Sequence, residues 1–476
     1  MVRINHCGLV LALLVSTGCS DPFTPSDAGP PDGTDGPPVT DGAVIPGSKE
    51  TLLFKGTVVT PDTVLPQGEV LVHQDTILCV AQSCASDPKA KEATVVDTAG
   101  IIYPGLIDAH NHTQYNYLPL WQHPKLYTNH NQWQATSEYK GFMAFHRDND
   151  TALMCEMIKY GEIRSLVAGT TTIQGTPLRK CADTLIRNAD LPYHGFADGD
   201  NVRTNVLGVS TLETADAQKL LDEFASGKTR AYVIHLAEGI DETARKEFDQ
   251  LESFGLLKPQ VVVIHGTALG QPELTKMKNA GMPMIWSPSS NLDLYGATND
   301  IVAAHNLGLL IALAPDWTPS GDPNIMDELR TAWGLNQSKL GQLWQAKEMV
   351  QMATTRAAAT LYLDKEIGAL KPGMRADLMV LAGDRSRPYE ALLSARLPAV
   401  RLVVVRGKVL YGEPALMIHL SPNEYCETVT ICGAPRTLCV KQSEDSTDKL
   451  NQSLGDIENT LKGYTPGILP LSTNCN

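Results

Sequence analysis

Between Thr51 and about Tyr103 the apolar residues come in short runs: Leu52-Leu53-Phe54, Thr57-Val58-Val59, Gly68 to Val72 and Ile77 to Val80. Turn-formers such as Pro61-Asp62 and Pro66-Gln67-Gly68 separate them, which predicts β-strands. A second β-rich block lies far downstream, at Ala376 to Leu381, Val400 to Val405 and Lys408 to Tyr411. Neither block has enough strands to hide its own apolar face. The pattern therefore predicts one small β-sandwich from residues 49–104 and 368–412, with the chain leaving and returning around a central domain, 105–367.

In that centre, apolar strand-like runs alternate with helical stretches. The strand candidates are Gly105 to Ala109, Thr170 to Gln174, Tyr193 to Ala197, Asn205 to Val209, Ala231 to Leu236, Val261 to His265, Pro283 to Ser287 and Leu309 to Ala314. Helical patterns fall between most of them, such as Thr151 to Val167 and Ala215 to Ala225. Such alternation is what an α/β (β/α)8 TIM barrel requires. No helix clearly separates the third and fourth candidates. No GxGxxG opens a helix after the first, which argues against a doubly wound dinucleotide-binding sheet.

Four of these runs end in residues with chemistry. Leu106-Ile107-Asp108-Ala109-His110-Asn111-His112 alternates so that Asp108, His110 and His112 share one side of a strand. Two imidazoles so placed can grip one metal ion. Tyr232 to His235 continues to Glu238, giving His-x-x-Glu; Val261 to Ile264 ends in His265; Leu309 to Pro315 runs into Asp316. In a barrel these C-terminal ends meet on one face, where enzymes of that fold place their active sites. Three neutral imidazoles and a carboxylate suit one divalent metal, Zn2+ first and Fe2+ second. Asp108 is expected to hold an imidazole tautomer from behind.

The order His-x-His, His-x-x-Glu, His, Asp at successive strand ends resembles the amidohydrolase superfamily, in the branch holding cytosine deaminase, guanine deaminase and triazine hydrolases. Ala168-Gly169-Thr170-Thr171-Thr172 is similar to that family's second-strand motif, and Trp286 to Leu292 to its seventh-strand segment. Ala353-Thr354 and Ile367 to Leu378 look like its closing helix and the return to the sandwich. The similarity runs from about Leu52 to Gly412.

Carried over by position, the resemblance implies His110, His112, His235 and Asp316 as metal ligands. It implies Glu238 as a proton shuttle and His265 as the group that orients the nucleophile or polarises the substrate, and Asp316 is expected to have a catalytic role as well, accepting the water's proton or hydrogen-bonding it. A divalent metal held there lowers the pKa of water toward ~7, and Glu238 would protonate a departing nitrogen so that it leaves as a neutral amine. Binuclear relatives use a carboxylated lysine on the fourth strand. No lysine stands on a strand candidate between Thr170 and Leu236, which favours a mononuclear site. The implied activity is hydrolysis of non-peptide C–N bonds, either deamination of a heterocycle or opening of a cyclic amide or imidazolone. The rival from another class is a non-catalytic metal- or ligand-binding lipoprotein on the same fold.

The loop after the first strand, Thr113 to Asn149, holds Tyr115, Tyr117, Trp121, Tyr127, Trp133 and Tyr139. Stacking and cation–π contacts there suit a planar or cationic small molecule; equally, a long loop needs a core of its own. His123, His130 and His146 are expected to make hydrogen bonds; for His194, in the third strand candidate, a place in the pocket is the lesser of two readings. His73 and His305 are expected to be structural.

Composition narrows the picture. With 476 residues, 43% hydrophobic and 19% charged, the chain is globular in character. Its net charge of −14 argues against nucleic acid and anionic membrane surfaces as partners. No apolar run approaches the ~20 residues a helix needs to span a bilayer. Residues 1–19 nonetheless read as an export signal: Arg3, then the apolar Gly8 to Val15, then Ser16-Thr17-Gly18-Cys19. That last segment resembles the lipobox of bacterial lipoproteins, although Ser16 stands where those prefer Leu or a similar apolar residue. Acylated Cys19 would be the only membrane anchor, in the bacterial cell envelope; without it the protein would be periplasmic or secreted. Residues 20–48, rich in Asp, Pro, Gly and Thr, read as a flexible acidic tether.

Setting Cys7 and Cys19 aside leaves eight cysteines, an even number that favours disulfides in an exported chain. Local pairing predicts Cys79–Cys84 and Cys155–Cys181, while Cys426, Cys432, Cys439 and Cys475 staple a C-terminal extension, 413–476. Thr428 to Val440 reads as a hairpin with a cross-strand disulfide.

Overall fold

A computed structural model describes residues 42–143, 153–177, 181, 185–190, 196, 202–206, 208–441, 451–465 and 467–475. The export signal, Cys19 and most of the tether lie outside the described residues, as do His146, His194 and all of the 193–197 strand candidate except Phe196. No helix among the described residues is long and apolar enough to cross a membrane.

The chain opens with β1 (Ala43–Ile45), β2 (Ser48–Val59), β3 (Val64–His73), β4 (Thr76–Ala81) and β5 (Ala93–Pro104). The central strands follow: β6 (Leu106–Asp108), β7 (Thr170–Ile173), β8 (Arg187–Asn188), β9 (Val202–Asn205), β10 (Ala231–Leu236), β11 (Val261–His265), β12 (Met284–Trp286) and β13 (Ile311–Leu313). The chain then returns through β14 (Leu378–Leu381), β15 (Val400–Val405), β16 (Lys408–Gly412), β17 (Glu427–Ile431) and β18 (Ala434–Leu438). Helices that bear on the site are α1 (His130–Ala135), α2 (Ser137–Phe142), α3 (Leu153–Val167), α4 (Thr214–Ser226), α5 (Glu242–Ser253), α6 (Gln271–Ala280) and α7 (Pro288–Tyr295).

The N- and C-terminal blocks share one ten-stranded sheet, ordered β17-β18-β16-β15-β14-β5-β2-β3-β4 with β1 on β5. The two blocks thus share one hydrogen-bonded path, joined through the β5–β14 pairing. The tether is shorter than 20–48, because Ala43–Ile45 pairs antiparallel with Val95 to Asp97. The C-terminal extension continues the sheet: β18 pairs with β16 through Tyr411–Leu438 and Gly412–Thr437.

All eight cysteines are paired. Cys79–Cys84 and Cys155–Cys181 bond as the local spacing predicts. Cys426–Cys439 closes the open end of the β17–β18 hairpin, and Cys432–Cys475 ties down the chain end. The bridge across the hairpin thus uses Cys426, which lies outside the Thr428 to Val440 stretch. The tied-down end packs on α3: Tyr160 Oη donates to Leu469 O at 2.7 Å, and Leu469 N donates to Tyr117 O at 2.8 Å.

The central strands form two parallel sheets, β13-β12-β11-β10-β9 and β6-β7-β8, joined by a parallel bridge between Asn111 and Asp316. Their Val- and Ile-rich runs are buried on both faces, as parallel strands covered by helices must be. Helix α5 shows the covering pattern: Asp241 caps it by accepting from Ala244 N, and Ala244, Phe248 and Leu251 face inward. The third strand is Arg187–Asn188, ahead of the expected position, and the fourth is Val202–Asn205. Arg187 is buried and bonds Asp377 Oδ2 at 2.6 Å and Asp75, which ties β8 to the ten-stranded sheet.

Two glycines set the spacing around β6. A Cβ on Gly105 would lie 2.1 Å from Thr171 Oγ1, so only glycine lets β6 and β7 close up. Gly175, with φ +102°, turns the chain directly after β7 against Asn111.

Candidate active site

The five histidine and aspartate positions singled out above, His110, His112, His235, His265 and Asp316, converge with Glu238 at the C-terminal ends of β6, β10, β11 and β13. His110 Nε2 lies 3.0 Å from His235 Nε2 and 3.6 Å from Asp316 Oδ1, and His112 Nε2 lies 3.2 Å from the same oxygen. One donor atom from each of His110, His112, His235 and Asp316 falls within 4.8 Å of the others. A second set, His235, Glu238 and His265, meets the same limit.

The backbone bends sharply to bring them together. Ala237, His265 and Asp316 have φ of 53°, 67° and 71°, in the left-handed region that side chains avoid. Such conformations cost about 1–3 kcal/mol each and persist where the surroundings over-determine them. Two of the rings also have a partner behind them. His110 Nδ1 is 3.1 Å from the Gln174 amide, and His265 Nδ1 is 3.1 Å from Asn291 Oδ1. Asn291 Nδ2 in turn donates to Asn299 Oδ1 at 2.9 Å.

Asp108 departs from expectation. It touches no imidazole nitrogen; its carboxylate accepts from His110 N at 3.3 Å and Asn111 Nδ2 at 2.7 Å. The strand stops at Asp108, so strict alternation no longer holds for the residues that follow. Burial pushes the Asp108 carboxyl well above its usual range. Its role here is to brace the turn that carries the two histidines.

Electrostatics keep the cluster in a lone-pair-donating state. Burial lowers the His110 imidazole and takes His235 down to about 3, so both are neutral at physiological pH. Burial alone would raise the two carboxyls, but the imidazoles overcome it. The neighbouring imidazoles of His110 and His112 hold Asp316 well below its usual range. His265 and His235 take Glu238 down to about 2. Neutral imidazole and ionised carboxylate are the forms that bind a metal. Asp316 Oδ1 and His265 Nε2 are buried without a hydrogen-bond partner, and buried orphans of this kind call for a ligand or an ion.

Glu238 sits between this cluster and the pocket wall. Its Oε1 accepts from Tyr295 Oη at 2.7 Å, while Oε2 lies 3.6 Å from His235 Nδ1 and 3.8 Å from His265 Nε2. Trp133 Nε1 donates to the same Tyr295 hydroxyl at 2.7 Å.

Above the cluster opens a chamber of about 370 Å³, walled by Gln114, Tyr115, Trp133, Tyr139 and Trp317. The Tyr115 and Trp317 rings meet edge-on at 5.4 Å, and those of Trp133 and Tyr139 at 4.9 Å. Both readings of the aromatic loop therefore hold in part. Tyr117, Trp121 and Tyr127 are buried as a small core, while Tyr115, Trp133 and Tyr139 reach the chamber. His112, Gln114 and Val206 also line a neighbouring cavity of about 550 Å³ that contains Asp190, Arg203 and Lys219.

Four further described histidines have partners other than a metal. His123 bonds Asp293 at 3.0 Å, His130 bonds Glu247 at 2.6 Å and His73 bonds Thr51 at 2.9 Å, while His305 packs edge-on against Trp344. Sequence reasoning missed Gln174 and Tyr295 as site residues. Gln174 was visible as the last residue of the Thr170 to Gln174 strand candidate; nothing local marked Tyr295, three residues beyond the Trp286 to Leu292 segment.

Residues 210–410 match the model of the Amidohydrolase family. The chain carries an amidohydrolase family domain. The 5-methylthioadenosine/S-adenosylhomocysteine deaminase of Moorella thermoacetica is 25% identical over 409 residues, covering 75% of this chain and 94% of its own. The 8-oxoguanine deaminase of Pseudomonas aeruginosa is 28% identical over 244 residues, covering 48% and 54%. Among solved structures, an adenosine deaminase from Xanthomonas campestris with bound zinc superposes with a TM-score of 0.61 at 18% identity, over 75% of this chain and 92% of that one. At that identity the likeness speaks to the fold of the amidohydrolase domain alone. Among the described residues, β7 to β10 carry no lysine.

Proposed function

We propose that this chain is a metal-dependent hydrolase of carbon–nitrogen bonds other than peptide bonds, acting on a planar heterocycle. The observation that carries the reading is the convergence of three imidazole nitrogens and Asp316 Oδ1, with no other partner supplied to that oxygen. His110, His112, His235 and Asp316 would hold one divalent cation, Zn2+ first and Fe2+ second, an N3O donor set suited to either. We further read the two parallel sheets as one (β/α)8 barrel with this site at its C-terminal mouth.

When bound, such a cation acts as a Lewis acid and lowers the pKa of water toward about 7. The chain's own groups supply the rest. Glu238, between His235 and His265, is placed to hold a proton and deliver it to the departing nitrogen, which then leaves as a neutral amine. Tyr295 fixes the carboxylate for that transfer. His265, anchored through Nδ1 by Asn291, directs its unpartnered Nε2 toward the site and would polarise the trigonal carbon's substituent. The aromatic chamber would hold the ring flat against Trp317 and exclude water.

The deaminase names of the two relatives favour release of ammonia over ring opening. A non-catalytic receptor would need the ligands but not Glu238. We also infer export, with acylation at Cys19 as the only membrane anchor, and no nucleic-acid partner. An ammonia-release assay across nucleobases, nucleosides, cyclic ureides and amides tests the reading, with chelator-treated protein as control. Chelator-sensitive release from a heterocycle supports deamination. Ring-opened product without ammonia moves the reading to cyclic amides. Turnover unchanged in E238Q removes Glu238 from the mechanism.

A further inference from the structure

The Asp316 carboxylate is held from behind by hydrogen bonds that start in the chamber wall. Trp317 Nε1 donates to Ser320 Oγ at 2.6 Å, Ser320 Oγ lies 2.8 Å from Ser290 Oγ, and Ser290 Oγ donates to Asp316 Oδ2 at 2.8 Å. All four residues are buried. Chemistry fixes the direction of the chain. An indole N–H only donates, an ionised carboxylate only accepts, and each serine has one proton to give. Ser320 must therefore donate to Ser290, and Ser290 to Asp316. Oδ2 is thereby occupied, and Oδ1 faces His112 and His110 at 3.2 and 3.6 Å.

We propose that Ser290 and Ser320 are positioning residues that select which Asp316 oxygen meets the cation and couple that choice to Trp317 in the substrate chamber. The inference rests on the metal-site reading above. Its chain begins at a side chain whose ring lies 5.8 Å from the His112 ring and 5.4 Å from Tyr115. Movement of the indole would therefore reach Oδ2 through two hydroxyls, with no contact to the metal itself. Without the Ser290 hydroxyl the carboxylate would be free to rotate and offer either oxygen.

The test uses the full chain loaded with Zn2+ or Co2+. Zn2+ affinity is read by competition with a chromophoric chelator, and ligand geometry by the visible absorption of the Co2+ form. S290A should weaken Zn2+ binding about 10–100-fold, the range typical of lost outer partners, and should shift the Co2+ spectrum. S320A and W317F should shift the spectrum in the same direction by less. S289A is the control: it removes the neighbouring hydroxyl on α7, which bonds Glu328 and is no part of this chain. It should leave both readouts unchanged.

S290A with wild-type affinity and spectrum overturns the proposal, as does S289A matching S290A, which would mean general damage to α7. Should S290A not fold, S320A decides, and an unchanged spectrum there overturns the proposal. A folded wild-type chain that takes up neither Zn2+ nor Co2+ defeats the metal-site reading itself, a result distinct from any of these.

Discussion

The floor and the wall of the site are built on different principles. Floor groups come from four strand ends far apart in the chain, and two of them, His265 and Asp316, sit on strained backbone. Many long-range constraints fix each one. The wall is mostly one loop, residues 113–143, shaped by short helices. Asn129 caps α1 by accepting from Gln132 N, and Thr136 caps α2 by accepting from Tyr139 N. The loop is pinned to α5 at a few points, through Thr128 and Asn129 on Asp241 and His130 on Glu247. A floor so constrained can keep its chemistry while a wall of this kind is rebuilt around other substrates.

That contrast can be broken by substitution. The largest effect should come from the floor: H235A should reduce bound zinc below about one per chain, read by elemental analysis, because one donor of the four-donor set is lost. E238Q, at the boundary, should keep its metal and lose about 10²–10⁴ in turnover, the usual contribution of a proton-transfer group. Y295F removes the hydrogen bond to Glu238 Oε1 and should cost about tenfold in turnover, the rate equivalent of ~1.4 kcal/mol, with metal content unchanged. If Y295F released the metal, floor and wall would not be separable.

The effect expected in the wall is on stability, not on turnover or metal content, and depends on pH. Burial works against His130, but Glu247, with Glu238 and Asp241 nearby, holds its pKa above the usual imidazole value. A raised folded pKa means the pair's stabilisation is complete below the unfolded value of about 6.5 and is lost as pH rises through the folded one. Thermal unfolding should therefore show H130Q less stable than wild type by about 1.5–3 kcal/mol at pH 5, with the gap closing toward pH 9. A gap that widened with pH would contradict the pairing.

The same contrast explains what the sequence disclosed. Floor residues were legible because each stands at the end of a short apolar run, so position alone put His235, His265 and Asp316 at comparable places. Residues that act through distant partners were not. Gln174 reaches His110, Tyr295 reaches Glu238 and Ser290 reaches Asp316 across separations that no local pattern records. Asp108 was misassigned because the strand ends there and its alternation stops with it. The third strand was misplaced because Arg187–Asn188 is short and polar, stabilised by ion pairs and not by an apolar run. Ala43–Ile45 was hidden among Asp, Pro and Gly, although its neighbour β5 supplies the pairing that orders it. How much of the wall is core was open for a related reason: Trp121 and Trp133 are alike in sequence, and only packing decides which one faces the chamber.

One crystal of the zinc-loaded protein, measured across the zinc absorption edge, tests the central claim most directly. The account predicts a single anomalous peak per chain, about 2.0–2.2 Å from His110, His112, His235 and Asp316. Two peaks, or one peak held by other residues, would contradict it.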